Sequence, residues 1–205
     1  MALNRLRNET QDLHRRVEDV LDILTVCADL RAYRAFLARA LGYYEPVERM
    51  LARFAWQPAG LEFTPRRKVP LLLADLRALG LDAATLEQLG RCRSHPEPVS
   101  IAGALGVMYV LEGATLGGQL ILRTVEAKLG LLPTQGAAFH GGYGPENGSR
   151  WRAFRACAEQ HLAAPAACDE AVHLARQTFE TYAAWMTAEQ APAQPVVGEL
   201  ERGLA

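Results

Sequence analysis

From about Asn4 to about residue 190, apolar residues recur at three- and four-residue steps, and nowhere do β-branched residues alternate long enough to form a strand. Such steps put the apolar groups on one side of an α-helix. A chain made of such helices buries its stripes only by packing helix on helix, which defines an all-α domain. At 205 residues the chain sits near the upper end of one ordinary domain and can bury a substantial core.

Local punctuation divides the pattern into seven or eight helices. The first spans about Asn4 to Leu24, with Leu6, Leu13, Val17, Val20, Leu21 and Leu24 on its apolar stripe. The second, about Asp29 to Phe54, contains Pro46, which predicts a kink or break one turn earlier near Gly42. TPRRKVP is a connector, Val69 to Leu79 a short helix stopped by Gly80, and Asp82 caps another through Leu89, ended by Gly90. After the loop RCRSHPEP, Ser100 caps the longest helix, which runs to Lys128 with Gly130 just past its end. The polar, glycine-rich stretch 131–148 predicts a loop, and helices over about Ser149 to Leu162 and Asp169 to Glu189 complete one domain over 1–190. Pro192 and Pro195 mark 191–205 as a loose tail.

Bulk chemistry excludes several partners. With 22 basic against 23 acidic residues, the formal net charge of -1 argues against nucleic acid. Cys27, Cys92, Cys157 and Cys168 fall at wide, irregular spacings without a C-x-x-C pair, so reduced cysteines are expected rather than a disulfide scaffold or structural zinc. The charged N-terminus MALNRLRNETQ is unlike a signal peptide, and Ile101 to Leu111, interrupted by Glu112, is too short to span a bilayer. A cytoplasmic protein without membrane contact is the expectation, and a monomer suits this size.

Two helices break their own rules. In the longest, Gly113, Gly117 and Gly118 fall within six residues, and each costs about 1 kcal/mol relative to alanine. Gly113 and Gly117, four apart, bare one face. Close packing by another helix and a flat ligand lying on that face both account for it. Local unwinding would add backbone hydrogen-bonding groups for such a ligand. In the first helix, taking about 100° per residue from Leu6, His14 falls near 80°, Arg7 near 100°, Glu18 near 120° and Gln11 near 140°, a polar seam beside the apolar stripe. A histidine there can turn one ring nitrogen inward while Glu18, one turn on, orients the ring. The same pair also reads as an ordinary surface contact. His95 and His140 lie in loops where exposure is expected, and His161 and His173 on helix surfaces.

Together these stretches resemble the haem oxygenase family, especially its bacterial branch. Thr10-x-x-Leu13-His14-x-x-x-Glu18 is similar to that family's proximal helix, and Tyr109-x-Leu111-Glu112-Gly113-x-Thr115-Leu116-Gly117-Gly118-Gln119 to its distal helix. Tyr143-Gly144 and Trp151-x-x-Phe154 extend the likeness, which covers about residues 5 to 185. The resemblance implies an all-α, single-domain helical bundle with haem between a proximal N-terminal helix and a glycine-broken distal one. It makes His14 the axial iron ligand with Glu18 beside its ring, and lets Gly113 and Gly117 bring the distal backbone onto the haem. Gly118 belongs to the same motif, and Arg7 and Tyr109 match positions that contact haem propionates. Where relatives carry aspartate or serine after the first distal glycine, this chain has Ala114, so protons must reach the site through water held by other groups.

The implied reaction cleaves haem, with dioxygen and external electrons, to biliverdin, carbon monoxide and ferrous iron. Haem is then both cofactor and substrate. No strand-linked G-x-G-x-x-G occurs, so no bound flavin or NAD is expected and electrons come from a ferredoxin or reductase. A bacteriophytochrome is a possible biliverdin acceptor. Two other readings share the fold: a non-catalytic haem-binding protein, and a thiaminase-type hydrolase for which Cys157 and Glu170 are nominal candidates.

Overall fold

The structure, a computed structural model, describes residues 1–188, and these contain helices and loops but no strand. Helix α1 is Ala2–Val20, α2 Ile23–Val26, α3 Leu30–Leu51, α4 Val69–Ala78, α5 Ala83–Gln88, α6 Ile101–Leu129, α7 Ala138–Gly141, α8 Asn147–His161 and α9 Pro165–Thr187. The expected tail, 191–205, and the end of the last helix at Glu189 lie outside the described residues.

Predicted caps hold where the signal is local. Asp82 accepts the Thr85 N–H at 2.8 Å and Ser100 the Gly103 N–H at 3.1 Å, while Gly130 closes α6 in the left-handed region at φ 67°; Asp29, expected as the first helical residue, instead caps α3 by accepting the Ala32 N–H at 2.7 Å. Helix α1 stops earlier than its apolar stripe predicts, because Asp22 starts a new helix by accepting the Leu24 N–H at 3.0 Å and the Thr25 hydroxyl at 2.8 Å. Its first turn has no cap of its own; the Glu159 carboxylate of α8 supplies one to the Ala2 and Leu3 N–H groups, at 2.9 and 3.3 Å.

The break expected near Gly42 does not occur. Pro46 leaves the Gly42 carbonyl without its helical donor, and the Cys92 N–H takes that place at 2.9 Å. A Cβ on Gly42 would lie 2.5 Å from the Gly90 carbonyl oxygen and 2.7 Å from the Trp185 ring, so glycine is what lets the 90–92 loop come in to satisfy it. Helix α6 is likewise continuous through Gly113, Gly117 and Gly118, without the local unwinding expected there.

Helix α9 is the central element, packed along one side by α6 and along another by α1, while α3 pairs with α4 and α6 also carries α7 and α8. The α6–α9 crossing is made through small residues: a Cβ on Gly106 would run into the Ala171 carbonyl. By length and composition α6 could cross a membrane, contrary to the expectation from its first eleven residues, but half of its most apolar window is buried within this fold. All four cysteines are free and buried.

Candidate functional site

Helix α6 comes close to the N-terminal segment at two levels, beside Thr10 in the middle of α1 and beside Asp22 just past its end, and between them Gly113 and Gly117 face open space that borders a cleft. At one end Tyr109 of α6 lies beside Thr10 of α1; burial pushes its phenol pKa up, opposed by the Thr10 hydroxyl and by the nearby Arg7 charge. The Tyr109 ring also packs on Trp151, centroids 6.3 Å apart. At the other end the Asp22 carboxyl is held below its ordinary range, first by the Thr25 hydroxyl and the Leu24 N–H, with a contribution from Lys128 in the last turn of α6. His14 lies four residues past Thr10, and Gly113 four past Tyr109, which puts both one turn further into the cleft.

The His14 side chain is 56% exposed, its Nδ1 3.4 Å from the Glu18 carboxylate. Its ring meets the buried Phe179 of α9 edge-on, centroids 5.8 Å apart, which leaves one ring edge supported and the rest accessible. The stripe predicted for α1 is core only in its first half: Leu6 and Leu13 are buried, Val17 is half-buried, and Val20 and Leu24 are exposed. Leu116 and Leu120 of α6 are exposed too and share a face with Gly113 and Gly117. Exposed apolar groups on both sides of one cleft are what an apolar ligand would cover.

The glycines of α6 separate by environment. A Cβ on Gly113 or Gly117 would meet nothing within 4 Å, whereas one on Gly118 would lie 2.9 Å from the His140 carbonyl oxygen. Close helix packing therefore explains Gly106 and Gly118 but not Gly113 and Gly117.

Three features escaped the sequence reading. His140, expected in an exposed loop, is buried in α7, stacked on Phe36 at 5.7 Å and 15° and beside Tyr33 at 5.8 Å. Burial drives its pKa down to about 3, so the ring is neutral. Among the described residues its Nε2 and the Tyr33 hydroxyl are buried without a hydrogen-bond partner. Helix α7 exists because the buried Asp75 carboxylate accepts the Ala138 and Phe139 N–H groups at 2.7 and 2.8 Å, a cap invisible at a separation of over sixty residues. Arg66, placed in a connector, donates to Glu112 at 2.9 Å, and the Tyr143 hydroxyl donates to the same carboxylate at 2.6 Å. Ala114 is exposed and brings no titratable group.

The two groups nominated for hydrolysis are engaged in structural bonds. The Cys157 thiol donates to the Ala59 carbonyl at 3.1 Å, and Glu170 accepts from Ser100 with both oxygens at 2.8 Å.

An all-α domain with an apolar-walled cleft between two long helices is the class of protein this architecture defines. Comparison with known proteins is consistent and more specific. A family described as "Heme oxygenase" matches residues 1–188. A heme oxygenase of Xanthomonas campestris pv. campestris (strain 8004) is 32% identical over 177 residues, covering 84% of this chain and 94% of that protein. The fold is similar to that of the NO- and CO-bound heme oxygenase from Neisseria meningitidis, with a TM-score of 0.78 at 21% identity, over 91% of this chain and 90% of that one. The chain belongs to the haem oxygenase family. It is thus an oxidoreductase for which haem is both cofactor and substrate, and it needs a separate source of electrons.

Proposed function

We propose that haem would lie in the α1–α6 cleft, held there through its iron by the His14 imidazole. The observation that carries this reading is the contrast among the glycines of α6. Gly113 and Gly117 each cost about 1 kcal/mol in a helix and face open space, where Gly106 and Gly118 are pressed against backbone. A flat ligand brought up to that bare face offsets the cost.

Haem, when bound, supplies the iron at which dioxygen is activated and the ring that is opened to biliverdin with release of carbon monoxide and ferrous iron. The chain's residues do the rest. Glu18, its carboxylate 3.4 Å from His14 Nδ1, is placed to draw the Nδ1 proton and so favour the tautomer whose Nε2 would be free to ligate. Gly113 and Gly117 are the catalytic glycines, letting the α6 backbone approach the ligand without a side chain between. Gly118 supports the site by seating α6 against α7. Arg7 and Tyr109, brought together at one end of the cleft, suit the propionates, because a guanidinium and a phenol are good donors to a carboxylate.

Electrons come from a ferredoxin or reductase, since no flavin or dinucleotide motif was found in the sequence. A bacteriophytochrome is the candidate biliverdin acceptor, and the protein works as a cytoplasmic monomer with its functional domain within residues 1–190. Titration with hemin followed by reductant under air tests the reading. A Soret complex that yields bilin is expected. No Soret change would favour the hydrolase, and a complex that never yields bilin a non-catalytic haem protein. His14→Ala should lose the imidazole-ligated spectrum and regain it when imidazole is added; an unchanged spectrum would overturn the ligand.

A further inference from the structure

Gly113 and Gly117 leave α6 without side chains to fix its rotation from the cleft side. Beyond the crossing with α9 at Gly106, what sets that rotation around the glycines lies on the opposite side. Taking about 100° per residue, Glu112, Thr115 and Gln119 fall within about 60° of one another and about 100° or more from either glycine. Each is tied to a segment outside the cleft. The Gln119 amide donates to the His140 and Gly141 carbonyls at 3.3 and 3.1 Å, and Thr115 sits against Gly142. Glu112 carries the charge. Its side chain is 3% exposed, its Oε2 accepts from Arg66 Nη1 at 2.9 Å, and its Oε1 accepts from the Tyr143 hydroxyl at 2.6 Å.

The partners are themselves held. Arg66 Nη2 donates to the Arg150 carbonyl at 3.2 Å. The Tyr143 ring has the Lys68 ammonium 3.7 Å and the Arg150 guanidinium 4.6 Å from its centroid. Rotating α6 would pull a buried carboxylate away from a buried guanidinium and leave both uncompensated, a far steeper penalty than shifting neutral contacts. We propose that Arg66, Glu112 and Tyr143 are positioning residues which lock the rotation of α6 and so hold the Gly113–Gly117 backbone face-on to the haem. This rests on haem occupying the α1–α6 cleft as proposed above.

Two variants test it, each compared with wild type as apoprotein and as haem complex. Glu112→Gln removes the charge but keeps an acceptor for Tyr143, and Tyr143→Phe keeps the ion pair and removes one hydrogen bond. In the apoprotein, amide hydrogen exchange over 113–118 should quicken about tenfold with α9 unchanged. In the haem complex, the C–O stretch of the ferrous carbonyl adduct and the biliverdin isomer composition should both shift. Unchanged exchange over 113–118, or a rise shared equally by α9, overturns the proposal, as do an unaltered stretch and isomer composition in a folded variant. Should Glu112→Gln fail to fold, Tyr143→Phe decides alone. A wild-type protein that forms no Soret complex would instead remove the haem site itself.

Discussion

At the scale of single residues, the same side-chain type takes opposite roles according to what surrounds it. His14 is more than half exposed and leans on Phe179, so it keeps a ring edge available. His140 is enclosed by Phe36, Tyr33 and Phe139 and held neutral. Neither state was legible locally: His14 has the spacing of a surface pair, and His140 sits in a string of glycines that reads as an open loop. The enclosure of His140 has a pH signature. Its folded pKa of about 3 lies below the ordinary 6.5, so the unfolded chain takes up the proton first. The contribution is therefore fully present above pH 6.5 and is lost progressively as pH falls toward 3. By pH 5 the loss amounts to about 2 kcal/mol. Urea unfolding at pH 8 and pH 5 should show a smaller pH-dependent loss for His140→Phe than for wild type by about that amount. Equal losses in both proteins would show that the ring is protonated without unfolding.

Among elements, α6 carries two faces with different demands. Its N-cap Ser100, its apolar run and its terminal Gly130 are local signals, so both ends of the helix were legible, while its continuity through the glycines was not. Which of its glycines serve packing and which serve the cleft was not, because that depends on what lies across the gap. The division can be measured by substitution. Gly113→Ala and Gly117→Ala meet no neighbour and should stabilise the apoprotein, by up to about 1 kcal/mol each, while weakening haem binding and turnover. Gly118→Ala drives a methyl toward the His140 carbonyl and should destabilise the apoprotein by about 1–3 kcal/mol. Chemical denaturation of the three variants checks the order, and a Gly118→Ala protein as stable as Gly113→Ala would contradict it. Short α7 illustrates the limit more sharply, since its cap, Asp75, arrives from α4 and leaves no trace in the local sequence.

For the molecule as a whole, α9 is the frame on which both α1 and α6 pack, and the proposed haem site lies between those two helices. A haem concentration about 100 times Kd should add about 2.7 kcal/mol, a rise in Tm of roughly 5–10 °C for a domain of this size. Because the family match spans residues 1–188, a chain ending at Ala188 should show the same haem-induced rise by thermal scanning. Loss of the shift on truncation would place part of the binding energy beyond Ala188. Periodicity and capping are written within a few residues, so the all-helical class, most helix boundaries and the two anomalous stretches could be read along the chain. That Gly113 and Gly117 face open space, that His140 is enclosed and that Glu112 is braced by Arg66 and Tyr143 emerges from packing alone. Each of these is a relation between segments far apart in the chain, fixed by how helices pack and not by what any one of them contains.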